Sequence, residues 1–333
     1  MTETPNTDNP ESVGGRKHLP FTWLIPLLAG ALAGVALRLI FSGNPGAPYA
    51  SAMGAFIYLS PLFVGAVTVY VAETRQRRTW GYYIRASFLA NLLYVSGTML
   101  TLMEGLVCAA VVLPLFSVLG VVGGLIMGAI CRVTNWPKHA LMSIGILPVI
   151  LGSVEARLPL PDRVGMVERT VTINAPPGVI WKEILNATDI RPDEVGRAWA
   201  YRIGVPVPLS GVAKTTPSGT VRRVTMGKGI YFDQVITRMD EPNRLSWAFR
   251  FYPDSFPPHT LDDHVVIGGH YFDLIDASYT LVPNGSSTDL RVQMHYRVST
   301  RFNWYANPLA RLLLGNVEEV NLEYYRRRSE SKS

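Results

Sequence analysis

The first half of the chain is dominated by apolar runs that are too long for the elements of an ordinary water-soluble domain, and these limit the fold before anything else does. Leu19 to Phe41 reads LPFTWLIPLLAGALAGVALRLIF, which at 1.5 Å per residue covers a hydrocarbon core of about 30 Å. A second run covers 55–72, and an apolar stretch from Ile84 to Cys131 is too long for one crossing and breaks at Glu104-Gly105, so it predicts a helical hairpin with spans at 84–103 and 105–131. A fifth segment, 140–158, contains Pro148 and ends near Glu155 and Arg157. The mean hydropathy of +0.18 with 17% charged residues agrees with a chain that places part of itself in lipid. The expectation is an α-helical transmembrane bundle of four to five helices over 19–158, preceded by a disordered tail at 1–18 and followed by a soluble domain at 165–333.

Arg16, Lys17 and His18 precede the first run, as they would in a signal peptide. The run exceeds the apolar core of about 7–15 residues usual there, and further spans follow it, which favours an uncleaved helix. The formal net charge of +6 is divided by position: residues 1–164 hold 11 Lys/Arg against 7 Asp/Glu, and 165–333 hold 20 against 18. The excess lies mainly beside the spans, so it reports orientation, and no nucleic-acid partner is implied. Basic residues occur in the tail, in the 73–83 loop with Arg75, Arg77 and Arg78, and in the 132–139 loop, while the 42–54 loop has none. The N-terminus is therefore expected in the cytoplasm. If the fifth segment crosses, as its apolar length favours, the C-terminal domain lies outside a bacterial-type inner (plasma) membrane. If it lies flat, the domain stays inside.

Polar residues in the spans are few. Arg38 is placed to snorkel to the interface, Asn91 to hydrogen-bond across helices, and Glu104 belongs to a surface turn, so a transport pathway lacks its usual equipment. Cys108 and Cys131 fall in apolar segments and read as packing residues. Gly120, Gly124 and Gly128 recur every four residues, which puts them on one helix face open to close approach by another helix, in this chain or in a helix-mediated oligomer.

After the junction LPLPDR the composition changes to strands and turns, marking a domain boundary near residue 164. A strand at 167–174 leads into a Pro-started helix to about Ala187 and a short helix around 193–201. Strand patterns follow at 219–226, 229–238, 244–252, 269–282 and 288–298, separated by turn residues, and predict an antiparallel sheet. Alternation turns Leu290, Val292, Met294 and Tyr296 inward, and likewise Leu245, Trp247, Phe249 and Phe251. From Asn303 the period becomes helical, with Tyr305, Leu309, Leu312, Leu313, Asn316, Val317, Val320 and Tyr324 on one stripe.

This order of elements, with the opening VERTVTINAPPGVIWKEI and its Ile173, Ala175, Pro176, Val179 and Trp181, resembles the SRPBCC superfamily of START-like and polyketide-cyclase-like domains over 167–328. The resemblance implies an α+β helix-grip fold, an antiparallel sheet wrapped on a long C-terminal helix, with a cavity that holds a hydrophobic or amphipathic small molecule. It implies no shared catalytic set and no cofactor.

Tyr231, Trp247, Phe249, Phe272, Met294 and Tyr296 are the candidates for a ligand cavity, with plain core packing as the alternative for the aromatics. The stretch SFPPHTLDDHVVIGGHYFDLID concentrates imidazoles and carboxylates. His264, His270 and Asp273 are weak candidates for acid-base chemistry, and His259, Asp263 and His264 for a metal, because their spacing matches no helical ligand pair. A polar loop that ties or gates the cavity mouth is the simpler expectation. The functions consistent with this sequence are a membrane-anchored binding domain for a hydrophobic or lipid-like molecule, with the bilayer and that molecule as partners; a cyclase-like or hydrolytic enzyme; and a membrane assembly or signalling protein.

Overall fold

The computed structural model describes residues 22–134, 138–217, 219–258, 260–261 and 264–333, with the side chains of 138–144 also outside the description. Five helices come first: α1 (Leu24–Ile40), α2 (Gly54–Glu73), α3 (Trp80–Leu100), α4 (Leu106–Val133) and α5 (Lys138–Glu155). Among the described residues two of them, α2 and α4, are long and apolar enough to cross a bilayer, in place of the four or five expected. The described part of the first run forms a helix of 17 residues, the apolar run of α3 is interrupted by Arg85 and Asn91, and the described apolar part of the fifth helix is Gly145–Glu155.

The helices run up and down, and hydrogen bonds fix which ends meet. At one end Arg75 reaches the carbonyl of Thr22 at 3.3 Å, and Arg132 reaches that of Arg78 at 2.9 Å and lies over the Trp80 ring at 4.6 Å. At the other end Glu155 accepts from the amides of Gly54 and Ala55, both at 2.7 Å. These are the first amides of α2, which have no partner inside the helix, and a carboxylate there also meets the positive end of the helix dipole. Glu155 thus caps a helix about a hundred residues away.

Small residues set the helix spacing. A Cβ on Gly65 would stand 1.9 Å from the backbone oxygen of Gly120, so α2 and α4 approach backbone to backbone. Gly120, Gly124 and Gly128 receive Asn91, Ser87 and Tyr83 of α3, so the glycine stripe is filled from within the chain. Asn91 bonds to the Ser87 carbonyl of its own helix at 2.9 Å and not to a neighbouring helix.

The second half holds β1 (Asp162–Ile173), α6 (Pro177–Leu185), β2 (Asn186–Ala187), α7 (Pro192–Val195), α8 (Trp199–Arg202), β3 (Pro208–Thr216), β4 (Gly219–Met226), β5 (Tyr231–Asp240), β6 (Arg244–Arg250), β7 (Phe272–Asn284), β8 (Ser287–Ser299) and α9 (Asn303–Glu330). The eight strands form one antiparallel sheet in the order β1-β8-β7-β6-β5-β4-β3-β2. With α9 lying against β1 and β8 and against α6, α7 and α8, this is a helix-grip arrangement. Leu290, Val292, Met294 and Tyr296 are all buried, on the face that alternation selects. Trp181 is 1% exposed and packs with Ile173, Ile180 and Ile184, each such side chain contributing about 1.5–3 kcal/mol by leaving water.

Three sequence expectations change here. β3 falls in VPLSGVAK, whose Pro and Gly content reads as loop; it pairs with β4 near the end of the sheet, where tertiary pairing overrides propensity. β1 begins at Asp162, directly after Pro161, so six residues separate α5 from the sheet. Leu312 is 58% exposed, because the buried stripe of α9 is rotated toward Glu318 and Tyr325.

The halves are joined by more than that connection. Trp304 donates to the Tyr58 hydroxyl and Tyr305 to the Val111 carbonyl, both at 2.6 Å. Arg301 stands 3.5 Å from Glu155 and donates to the Pro159 carbonyl at 2.9 Å. Tyr271 and Phe302 of the second half are buried in the same apolar cluster as Phe41, Phe56 and Phe116 of the first.

Candidate functional site

A cavity of about 410 Å³ runs between the sheet and α9 and continues to the helix ends. Its wall is mostly apolar, with Val224, Phe232 and Phe249 from the sheet, Leu313 and Leu314 from α9, and Val111 and Phe116 from α4. This size and character suit a small hydrophobic or amphipathic molecule.

At the bundle end the wall carries Arg38, which is 2% exposed and so does not snorkel to an interface. Its Nε lies 2.5 Å from Glu104, one Nη donates to the Phe41 carbonyl at 2.7 Å, and the other reaches the Met103 carbonyl at 3.0 Å and His264 Nε2 at 2.7 Å. The same His264 Nε2 lies 3.2 Å from the Met103 carbonyl. The loop between β6 and β7 is thereby tied to the end of α1 and the α3–α4 turn.

A second polar group stands further along α9. Glu318 is fourteen residues beyond Trp304, about 21 Å along the helix axis. It is 3% exposed, and burial pushes its carboxyl up to about 7 against a hydrogen bond with Asn321. Arg222, 6% exposed, donates to Gln234 at 2.7 Å and to the Tyr325 hydroxyl at 3.3 Å. Gly211 on β3 makes room for it, since a Cβ there would stand 2.2 Å from the guanidinium. Tyr201 and Tyr279 complete the group, both hydroxyls held well above their ordinary value, first by burial and then by the charges of Glu318 and Tyr325. Glu318 Oε2, Arg222 Nε, Trp247 Nε1 and the Tyr324 hydroxyl are buried there without a hydrogen-bond partner among the described residues.

Of the six cavity candidates, Trp247, Phe249, Phe272 and Met294 line the cavity. Tyr231 stacks on Tyr252 under the Arg223 guanidinium, and Tyr296 packs with Val167 and Val298, so both lie elsewhere. His264, His270 and Asp273 are held by different neighbours: His264 faces Arg38, exposed His270 lies against Gly46 and Tyr271, and Asp273 alternates with the lining residues Phe272 and Leu274, so it stands on the opposite face of β7. Burial raises the Asp273 carboxyl, with Arg297 opposing. His259 and Asp263 lie outside the described residues, and among the described residues no group of three or more His, Cys, Asp or Glu gathers as a metal would need. Cys108 is on the cavity wall and Cys131 is buried in the bundle.

Arg222, Glu318 and the Arg38–Glu104 pair have no counterpart among the sequence candidates. A signal existed for Arg222: it shares a period of two with Val224 and Met226, so one of the paired Arg222 and Arg223 had to face inward.

No protein-family model and no curated protein sequence matches the chain. Solved structures to which it is similar include the di-domain ARO/CYC BexL from the BE-7585A biosynthetic pathway, at 15% identity and TM-score 0.31, over 62% of this chain and 61% of that one. A START superfamily protein from Mycobacterium smegmatis is similar at 17% identity and TM-score 0.33, over 50% of this chain and 99% of that one. A norcoclaurine synthase point mutant from Thalictrum is similar at 16% identity and TM-score 0.30, over 52% and 99%. The chain thus spans about three-fifths of the first of these. Likenesses at this level name no ligand and no activity for it.

Proposed function

We propose that this chain is a membrane-embedded binding protein for a hydrophobic or amphipathic small molecule. The observation that carries the reading is the cavity of about 410 Å³ whose apolar wall is shared between the helix-grip half and the ends of α1–α4. Embedding is supported by the outward faces of the helices. Leu28 and Leu32 on α1, Phe88 on α3, Val118 and Ile126 on α4, and Ile150 on α5 are all exposed, far more apolar surface than a soluble monomer leaves to water. Arg75, Arg78 and Arg132 gather at the helix ends away from the sheet, which by the positive-inside rule supports an extracytoplasmic helix-grip half in a plasma membrane of bacterial type.

The full-length protein, purified from membranes in mild detergent, should release about one hydrophobic small molecule per chain on solvent extraction. Leu313→Trp, which fills the cavity from α9, should lose that molecule while keeping the helix and strand content of the wild type by circular dichroism. An empty wild-type protein that also takes up no added hydrophobic probe would overturn the reading. A C-terminal reporter active only in the cytoplasm would overturn the proposed side if it gave signal.

A further inference from the structure

The polar group at the far end of the cavity is an unusual thing to bury. Arg222 has five N–H donors and uses two of them, and among the described residues no carboxylate lies within ion-pair distance of it. Among the described residues Glu318 Oε2, Trp247 Nε1 and Arg222 Nε have no partner, although each of these side chains is more than nine-tenths buried and lines the cavity. Leaving such groups unsatisfied costs about 1–3 kcal/mol each, and more for a charge. A cavity meant only for hydrocarbon would not keep them. Resting on the cavity-binding function proposed above, we infer that the occupant is a single-chain amphiphile with a monoanionic oxygen head, a long-chain carboxylate, bound head-first onto Arg222, Trp247 and Glu318 with its tail toward the bundle.

Charge and hydrogen-bond capacity both select this class. One guanidinium balances one negative charge, whereas a dianionic phosphate would leave a surplus in an apolar wall. The spare donors of Arg222 and Trp247 point to an acceptor oxygen on the ligand. Glu318, protonated below about 7, supplies a further donor to the same head. Its charge reaches Tyr201 of α8 and Tyr279 of β7, and Tyr279 in turn meets the ring of Tyr325 on α9 and the charge of Arg222 on β4. Burial keeps Tyr201, Tyr279 and Tyr324 in their neutral forms, so Glu318 is the group in this cluster that changes charge near neutrality. Beyond the head, Val224, Phe249 and Leu313 lead to Val111 and Phe116, an apolar path suited to an alkyl chain.

The test uses full-length protein in nanodiscs, with cis-parinaric acid as the fluorescent probe and its methyl ester and hexadecyl phosphate as comparators. The acid should bind at least about tenfold more tightly than the ester, the usual worth of a charge-assisted hydrogen bond. Arg222→Met should abolish that preference while still binding the ester. Acid binding should weaken as pH rises through about 7, when an ionised Glu318 repels the head, and Glu318→Gln should remove the weakening. Equal binding of acid and ester, or a preference surviving in Arg222→Met, would overturn the head-group assignment while leaving the cavity function standing. Tighter binding of the phosphate would overturn the choice of carboxylate. Failure of every probe would overturn both the assignment and the function beneath it. The acid-to-ester comparison on wild-type protein decides the matter even if the variant fails to fold.

Discussion

Glu155→Ala removes a contact that joins three parts of the molecule. The Glu155 side chain, 11% exposed, accepts from the first two amides of α2 at 2.7 Å each and stands beside Arg301. Loss of an N-terminal cap costs about 0.5–2 kcal/mol, and hydrogen bonds to a charged acceptor are worth about 1.5–3 kcal/mol each. The two amides share one carboxylate, so the expected loss is about 2–4 kcal/mol, a fall in melting midpoint on the order of 3–6 °C for a chain of this length. Glu155→Gln keeps one acceptor oxygen and should lose about half as much. A double-mutant cycle with Arg301→Ala should give a coupling below about 1 kcal/mol, because that pair is longer and partly exposed. Thermal unfolding of the detergent-solubilised protein, followed by tryptophan fluorescence, measures all five proteins. An unchanged midpoint for Glu155→Ala, or a Gln variant as damaged as the Ala variant, would refute the capping argument.

Other outcomes follow from the same geometry. Gly65→Ala, whose new Cβ meets backbone at 1.9 Å, should cost about 1–3 kcal/mol or more of stability and lower the melting midpoint, while Gly81→Ala, with nothing within 4 Å, should hold or raise the midpoint. Arg38→Lys should fail to replace the guanidinium that serves Glu104, His264 and two carbonyls and should lose about 3 kcal/mol in the same melt. The raised Glu318 carboxyl makes the folded state hold a proton that the unfolded state releases near 4.5. Stability is therefore highest below that pH and falls as pH climbs to about 7, by as much as about 3 kcal/mol. Melts of ligand-free wild type and Glu318→Gln from pH 5 to 8 should diverge in that direction.

Elements with strong periodicity were legible from the residues alone. The alternation of β8, the hairpin break at Glu104-Gly105 and the helical period after Asn303 all carry a local pattern that burial then enforces. β3 carries none, because Pro208 and Gly211 weaken a strand that exists through pairing with β4. The polar ends of the cavity were hidden for another reason. Arg38 at a helix terminus looks like an interfacial residue until Glu104, sixty-six positions later, is brought beside it. Glu318 beside Glu319 looks like a solvated helix face, and a small rotation of the buried stripe turns it inward instead. Pairing across such sequence distances is a property of the tertiary fold, and local spacing holds no trace of it.

The bond from Tyr305 to Val111 and the burial of Phe302 against Phe56 and Phe116 bear on how this molecule can be taken apart. Excising the helix-grip half would leave a vessel without a floor, since the helix ends that close it belong to the other half of the chain. Whatever such a fragment binds, its selectivity is that of a different container.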